Sequence, residues 1–242
     1  VNILVLTDNE YLYRGLKKII QNEKFLSYKF NFFYSHTNKL FYEKYKNDKT
    51  FLKLNILEKE DEIMKSYDLV ISAHCKQIFP NSLVKNNRCI NIHPGYNPYN
   101  RGWFPQVFSI INKKPVGVTI HLMDEMLDHG PIIFQEEVEI DSWETSKDVY
   151  NKILKKELLL IDKYLIDILE EKYELTYCDE GNVNYIKDFN NLCELNLNEE
   201  VTMGEAIDKL KALTFEGYKN AYFIDEEGNK VWITIKLEKN SN

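Results

Sequence analysis

The sequence lacks the glycine-rich signatures of the common nucleotide folds. No G-x-G-x-x-G follows its first apolar run and no G-x-x-x-x-G-K-[ST] occurs anywhere, which argues against a nicotinamide dehydrogenase or a P-loop NTPase. There is no G-x-S-x-G elbow, so an α/β serine hydrolase would have no nucleophile. Four cysteines without a C-x-x-C pair read as reduced thiols, with no zinc site and no disulfide scaffold. No apolar run approaches the roughly 18 residues that span a bilayer. The strand-like run opening at Val1 carries no signal-peptide pattern, so the expectation is a cytoplasmic protein with no membrane partner. Positive charge is also short, with 31 Lys and Arg against 38 Asp and Glu and a net charge of −7. That argues against a broad basic surface for nucleic acid, while leaving room for a local pocket for one phosphate group.

What is present suits a folded chain. With 44% hydrophobic and 13% aromatic residues, 242 residues fill one large domain or a domain with a small appendage. Residues 1–6 form an apolar run ending at Thr7-Asp8-Asn9, and Leu12, Leu16, Ile19 and Ile20 follow at helical spacing. Further strands are expected at 30–34, 68–73 (DLVISA), 89–92, 116–123 and 132–140, with a long helix at 146–169. Alternating strand and helix predict an α/β fold, an open, mostly parallel twisted sheet over residues 1–175. Residues 176–242 are expected to add a small C-terminal helix and β-hairpin.

All six prolines lie between residues 80 and 131, together with Gly95, Gly102, Gly117 and Gly130, so the specialised turns are concentrated there. Within that window, Asn91 and His93 sit two apart at a strand end and point to one face. Asp128 follows in the loop after the next strand, within reach of the same mouth. An amide, an imidazole and a carboxylate together suit acyl transfer without a covalent enzyme intermediate. The imidazole takes a proton from an incoming amine, the amide donates to the developing oxyanion, and the carboxylate orients the imidazole. His74 and His121 lie near the same strands, and His121, inside a strand, reads as structural; His129 has no assigned role. Lys76 and Arg101 are candidates for a pyrophosphate and Tyr96, Tyr99 and Trp103 for stacking on a base or sugar, with Asn97 and Asn100 of the same loop as further substrate-binding candidates.

Taken together, N-I-H-P-G…N-R-G (91–102) and GVTIHLMDEMLDHGPII (117–133) resemble the core of the folate-dependent formyltransferases over roughly residues 68–140. The resemblance implies a Rossmann-like core and 10-formyltetrahydrofolate as formyl-donor cosubstrate, with no metal. It makes Asn91, His93 and Asp128 the catalytic residues. It places the folate against Gln77, Ile78, Phe79 and Pro80 and against the loop carrying Met123, Asp124 and Leu127. Trp103-Phe104-Pro105-Gln106 departs from the usual continuation, where acceptor choice would be set. Chain length, HPGYNPYNRG and the closing LT…YKNAYF pattern are most similar to the dTDP-amino-sugar N-formyltransferases, with the 4-amino-4,6-dideoxyglucose type favoured. Members of that group serve surface polysaccharide (lipopolysaccharide O-antigen) biosynthesis. The alternatives are a glycinamide ribonucleotide or other amine formyltransferase, a non-catalytic folate or nucleotide-sugar binder, and hydrolysis with water in place of the amine.

The apolar runs 221–224 and 231–235 flank a turn-rich loop, a hairpin signal. Tyr222, Ile224, Trp232 and Ile235 are more apolar surface than a terminal hairpin ordinarily exposes, which leads to the expectation of a homodimer built through it.

Overall fold

The structure, a computed structural model, describes residues 1–178 and 180–240. In chain order the elements begin with β1 (Asn2–Thr7), α1 (Glu10–Ile19), β2 (Lys29–Ser35), α2 (Lys39–Tyr45) and β3 (Phe51–Leu54). Next come α3 (Glu60–Ser66), β4 (Leu69–Ala73), α4 (Asn81–Asn86), β5 (Arg88–His93), β6 (Arg101–Gly102) and α5 (Pro105–Asn112). They continue with β7 (Gly117–Leu122), β8 (Ile132–Glu137), α6 (Ser146–Leu169), β9 (Val183–Asn184) and α7 (Ile186–Cys193). The chain closes with α8 (Met203–Leu213), β10 (Tyr222–Ile224) and β11 (Lys230–Trp232). Two compact units result. Unit one is Val1–His93, Thr119–Gln135 and Leu154–Cys178; unit two is Pro94–Val118, Glu136–Ile153 and the described residues from 180 on.

Unit one is organised by a seven-stranded sheet in the order β3-β2-β1-β4-β5-β7-β8. Strands β1 to β5 pair in parallel, and β7 joins β5 antiparallel, so the expected open, mostly parallel α/β sheet is present. Strand β4 is buried along its whole length, as its unbroken apolar run requires of a central parallel strand. Leu4, Leu6, Ile56, Ile63, Val70 and Leu83 pack one core; each fully buried leucine contributes about 1.5–3 kcal/mol by leaving water. On α1, Leu12, Tyr13 and Leu16 are buried, and Tyr13 stacks on Phe51 of β3 with ring centres 3.8 Å apart. Gly15 admits Leu158 of α6 so closely that an added Cβ would lie 2.3 Å from its Cδ1. Among the described residues no helix is long and apolar enough to cross a membrane.

The strand order reverses between β1 and β4, the place where the carboxyl ends of an open α/β sheet leave a crevice. Here the first β–α turn is not a glycine loop. The Asp8 carboxylate accepts from Ser35 N (3.1 Å), the Ser35 hydroxyl, Asn38 Nδ2 (2.8 Å) and Lys76 N (2.9 Å). The turn is thus held by a side-chain carboxylate, where a dinucleotide-binding fold carries a glycine-rich loop.

In unit two, α5 and α8 pack together, and Phe104 lies against Phe189 of α7 with ring centres 4.2 Å apart. Strands β10 and β11 form the expected hairpin, pairing Tyr222 with Trp232 and Ile224 with Lys230. Helix α6 spans residues 146–169 as its periodicity predicts, whereas β8 ends at Glu137 rather than at residue 140. Strand β3, the paired β6 and β9, and helices α2, α3, α4, α5 and α7 are not placed by the sequence reading.

Candidate active site

Strand β5 carries Asn91 and His93 on one face, and its antiparallel register sets Asn91 opposite His121 and His93 opposite Thr119 of β7. After β7 the chain makes a tight loop. Leu122 N donates to Pro131 O (2.9 Å) and Met123 N to Cys89 O (2.8 Å), closing its base. Gly130 passes so near the ladder that a Cβ there would meet Leu122 O at 2.0 Å, so the position takes no side chain. Inside the loop, the Asp124 carboxylate accepts from Met126 N (2.9 Å) and lies 2.6 Å from His129 Nδ1. His129 thus closes the loop across five residues. Between these fixed points Asp128 adopts a left-handed backbone (φ +47°), a conformation that aspartate tolerates better than most residues.

The effect is to turn the Asp128 carboxylate inward. Its Oδ1 accepts from Asn91 Nδ2 at 2.8 Å, and its Oδ2 lies 3.5 Å from His93 Nδ1. The three predicted side chains, drawn from positions 91, 93 and 128, therefore meet, with His93 buried and Asp128 nearly so. With Nδ1 turned to the carboxylate, the other ring nitrogen, Nε2, is the one left to serve an incoming group.

His121 joins this cluster. Its Nδ1 lies 2.7 Å from Leu122 O, a carbonyl that only accepts, so that nitrogen carries a proton. In the neutral ring Nε2 is then an acceptor, placed 3.4 Å from Asn91 Nδ2 and 3.8 Å from Asp128 Oδ1. Together, Asp128 and His121 fix which way round the Asn91 amide sits.

The residues assigned to the donor divide by environment. Gln77 spends its side chain on the end of β3 and the turn after it, donating to Leu54 O (3.0 Å) and accepting from Ile56 N (3.0 Å). Phe79 is in the core and Pro80 precedes α4, while Ile78, Met126 and Leu127 are exposed apolar side chains of unit one. Lys76 is exposed. The thiols of Cys75 and Cys89 are both pushed up to about 12 by burial, so neither is a nucleophile at neutral pH. Among the described residues no group of three or more His, Cys, Asp or Glu side chains is placed to hold a metal ion.

The remaining candidates lie in unit two. Asn97 is buried before a cis bond to Pro98, and Tyr96 is half-buried. Asn100 is a bracing hub: its Nδ2 donates to Ser109 Oγ (2.9 Å), and its Oδ1 accepts from Asn112 Nδ2 (2.7 Å) and Asn182 Nδ2 (2.8 Å). Arg101 is buried and pairs backbone with Asn182, Tyr99 stands under Lys114 (5.1 Å to the ring centre), and Trp103 is exposed.

Residues 38–164 match the family model described as "Formyl transferase", and 188–239 match "N-formyltransferase dimerization C-terminal domain". The chain belongs to the formyl transferase family. A formyl transferase of Mycobacterium tuberculosis (strain ATCC 25618 / H37Rv), "dTDP-4-amino-4,6-dideoxyglucose formyltransferase", is 48% identical over 185 residues, 76% of this chain and 79% of the relative. Among solved structures, a 4-N formyltransferase from Francisella tularensis aligns with TM-score 0.95 and 48% identity, covering 99% of this chain and 98% of that one. A sugar N-formyltransferase from Shewanella sp FDAARGOS_354 aligns with TM-score 0.95 and 43% identity over 100% and 99% of the two chains. The resemblance carried by N-I-H-P-G and the 117–133 segment is thereby borne out.

Proposed function

We propose that this formyl transferase moves a formyl group from 10-formyltetrahydrofolate to the amine of a dTDP-linked amino-dideoxy sugar, 4-amino-4,6-dideoxyglucose first, for surface polysaccharide biosynthesis. The observation that carries the reading is the meeting of Asn91, His93 and Asp128 in a chain 48% identical to a dTDP-4-amino-4,6-dideoxyglucose formyltransferase.

The exposed apolar Ile78 and Leu127, with Met123 and the backbone of 77–80, suit a flat heteroaromatic donor. When bound, the donor supplies the formyl group. Asp128 holds His93 so that Nε2 meets the acceptor amine and takes its proton as the nitrogen adds to the formyl carbon. Asn91 Nδ2 donates to the formyl oxygen as that oxygen becomes negative, exchanging its long contact to His121 for the new bond. The proton on His93 then passes to the departing nitrogen. Lys76 and Arg101 are assigned to the diphosphate, and Tyr96, Tyr99 and Trp103 to the base and sugar, with Asn97 and Asn100 shaping that loop.

Separate assays with dTDP-4-amino-4,6-dideoxyglucose, glycinamide ribonucleotide and charged methionyl-tRNA test the acceptor. Turnover is expected with the sugar; turnover with only one of the other two, or formate release that needs no amine, overturns the reading.

The same reading includes a homodimer through the hairpin. Support comes from the match of 188–239 to a dimerization model and from the exposed Ile224 and Trp232, beside a groove lined by Leu195 and Leu197. Light scattering at micromolar concentration is expected to give twice the chain mass, and Trp232→Glu is expected to halve it. A wild-type monomer, or a Trp232→Glu dimer of unchanged stability, counts against the hairpin interface.

A further inference from the structure

His129 directly follows Asp128 and has no part in the transfer chemistry as drawn so far. Its Nδ1 lies 2.6 Å from Asp124 Oδ2, and a carboxylate only accepts, so that nitrogen carries a proton and donates. The other Asp124 oxygen accepts from Met126 N at 2.9 Å. One carboxylate thus grips the loop at residues 126 and 129, on either side of Leu127 and Asp128.

The other ties on this loop do less. Backbone hydrogen bonds from Leu122 and Met123 close its base, outside the span 124–129. Lys85 of α4 reaches Glu125, but the two side chains are 63% and 47% exposed, and ion pairs so wet contribute little. The His129 and Asp124 side chains are 32% and 33% exposed, and they meet in a short, aimed hydrogen bond to a charged group. An imidazole also brings few rotatable bonds, so little side-chain entropy is lost in holding it there.

The clasp bears on the chemistry through the residue that it encloses. Asp128 sits at φ +47°, and a non-glycine residue stays in the left-handed region where its surroundings over-determine it. Its side chain is tied to Asn91, and its backbone leads straight into His129 and Gly130. Gly130 is pressed against Leu122 O, which leaves no slack after His129. Of the two Asp128 contacts, that to His93 Nδ1 is the long one at 3.5 Å, so a small turn of the loop removes it. With Asp124 and His129 parted, residues 125–128 gain freedom, and the carboxylate that orients the imidazole spends part of its time turned away.

We propose that His129, acting through Asp124, is a positioning residue that keeps the Asp128 carboxylate turned to His93. This rests on the parts given to Asp128 and His93 under Proposed function and deepens them. In this role His129 meets neither the formyl group nor the amine.

The test is a set of variants of the full chain, assayed with each substrate varied and followed by hydrogen exchange. His129→Ala removes the donor, and loss of one hydrogen bond to a charged group predicts about tenfold lower kcat, with KM for the nucleotide sugar and thermal melting unchanged. His129→Asn puts an amide donor close to where Nδ1 stands and is expected to return kcat to within about threefold of wild type. Adding His129→Ala to Asp124→Ala is expected to cost nothing further, because the partner is already gone. Exchange of the amides at 124–130 is expected to quicken in His129→Ala and to slow again in His129→Asn. A His129→Ala enzyme within about twofold of wild type overturns the proposal, as do losses that add in the double variant. A His129→Asn enzyme no better than His129→Ala also overturns it, since the imidazole itself would then be the group required. If the wild type transfers no formyl group to any acceptor, the transfer reading falls, and the exchange result alone decides the clasp.

Discussion

Replacing His93 with asparagine is expected to lower kcat by about 10²–10⁴ with little change in either KM. An acceptor amine is mostly an ammonium at neutral pH and carries a further proton that must leave as its nitrogen bonds carbon. The only group of the Asn91–His93–Asp128 trio able to take that proton near neutrality is the imidazole, since the amide is not basic and the carboxylate is a far weaker base. Asparagine keeps the polarity and roughly the volume near Asp128, so the loss falls on proton transfer rather than on folding. The check is a coupled folate assay run across pH, in which the wild-type limb assigned to the imidazole disappears in the variant. Near-normal turnover removes His93 from the chemistry.

The Asn91→Ala variant is expected to lose about 10²–10³ in kcat, the usual cost of deleting one oxyanion donor. Two changes coincide there. The developing negative oxygen loses its hydrogen bond, and the Asp128 carboxylate, whose Oδ1 takes the amide at 2.8 Å, loses a donor that helps hold it turned toward His93. A thermal melt separates these losses from misfolding. An Asn91→Ala enzyme that turns over within about fivefold of wild type places the oxyanion donor elsewhere.

Local pattern made the frame legible and long-range pairing hid the rest. Helix α6 was readable because Val149, Ile153, Leu165 and Ile168 repeat at helical spacing along an extended segment and are all buried. Strand β3 was not, because four residues with buried ends and exposed centre give no alternation to detect. Asn91, His93 and Asp128 stood out through their Pro- and Gly-marked turns. The place of His121 beside Asn91 depends on an antiparallel register between β5 and β7 that no local pattern encodes. Likewise Glu157 looks like one more polar position on a long helix until the fold brings it to His74, 83 residues earlier. Asn100 sat in a loop rich in candidate ligands, yet its amide is occupied by Ser109, Asn112 and Asn182, partners that only folding supplies.

Each compact unit is assembled from three separate stretches of the chain. The gene therefore cannot be divided at one codon into two self-sufficient pieces. A fragment beginning near residue 180 would carry α8 without α5, the helix that it packs against, and would leave Phe189 without Phe104. The apolar surface uncovered in this way would belong to the cut and not to the protein, so self-association measured on such a fragment would say nothing about how the intact chain assembles.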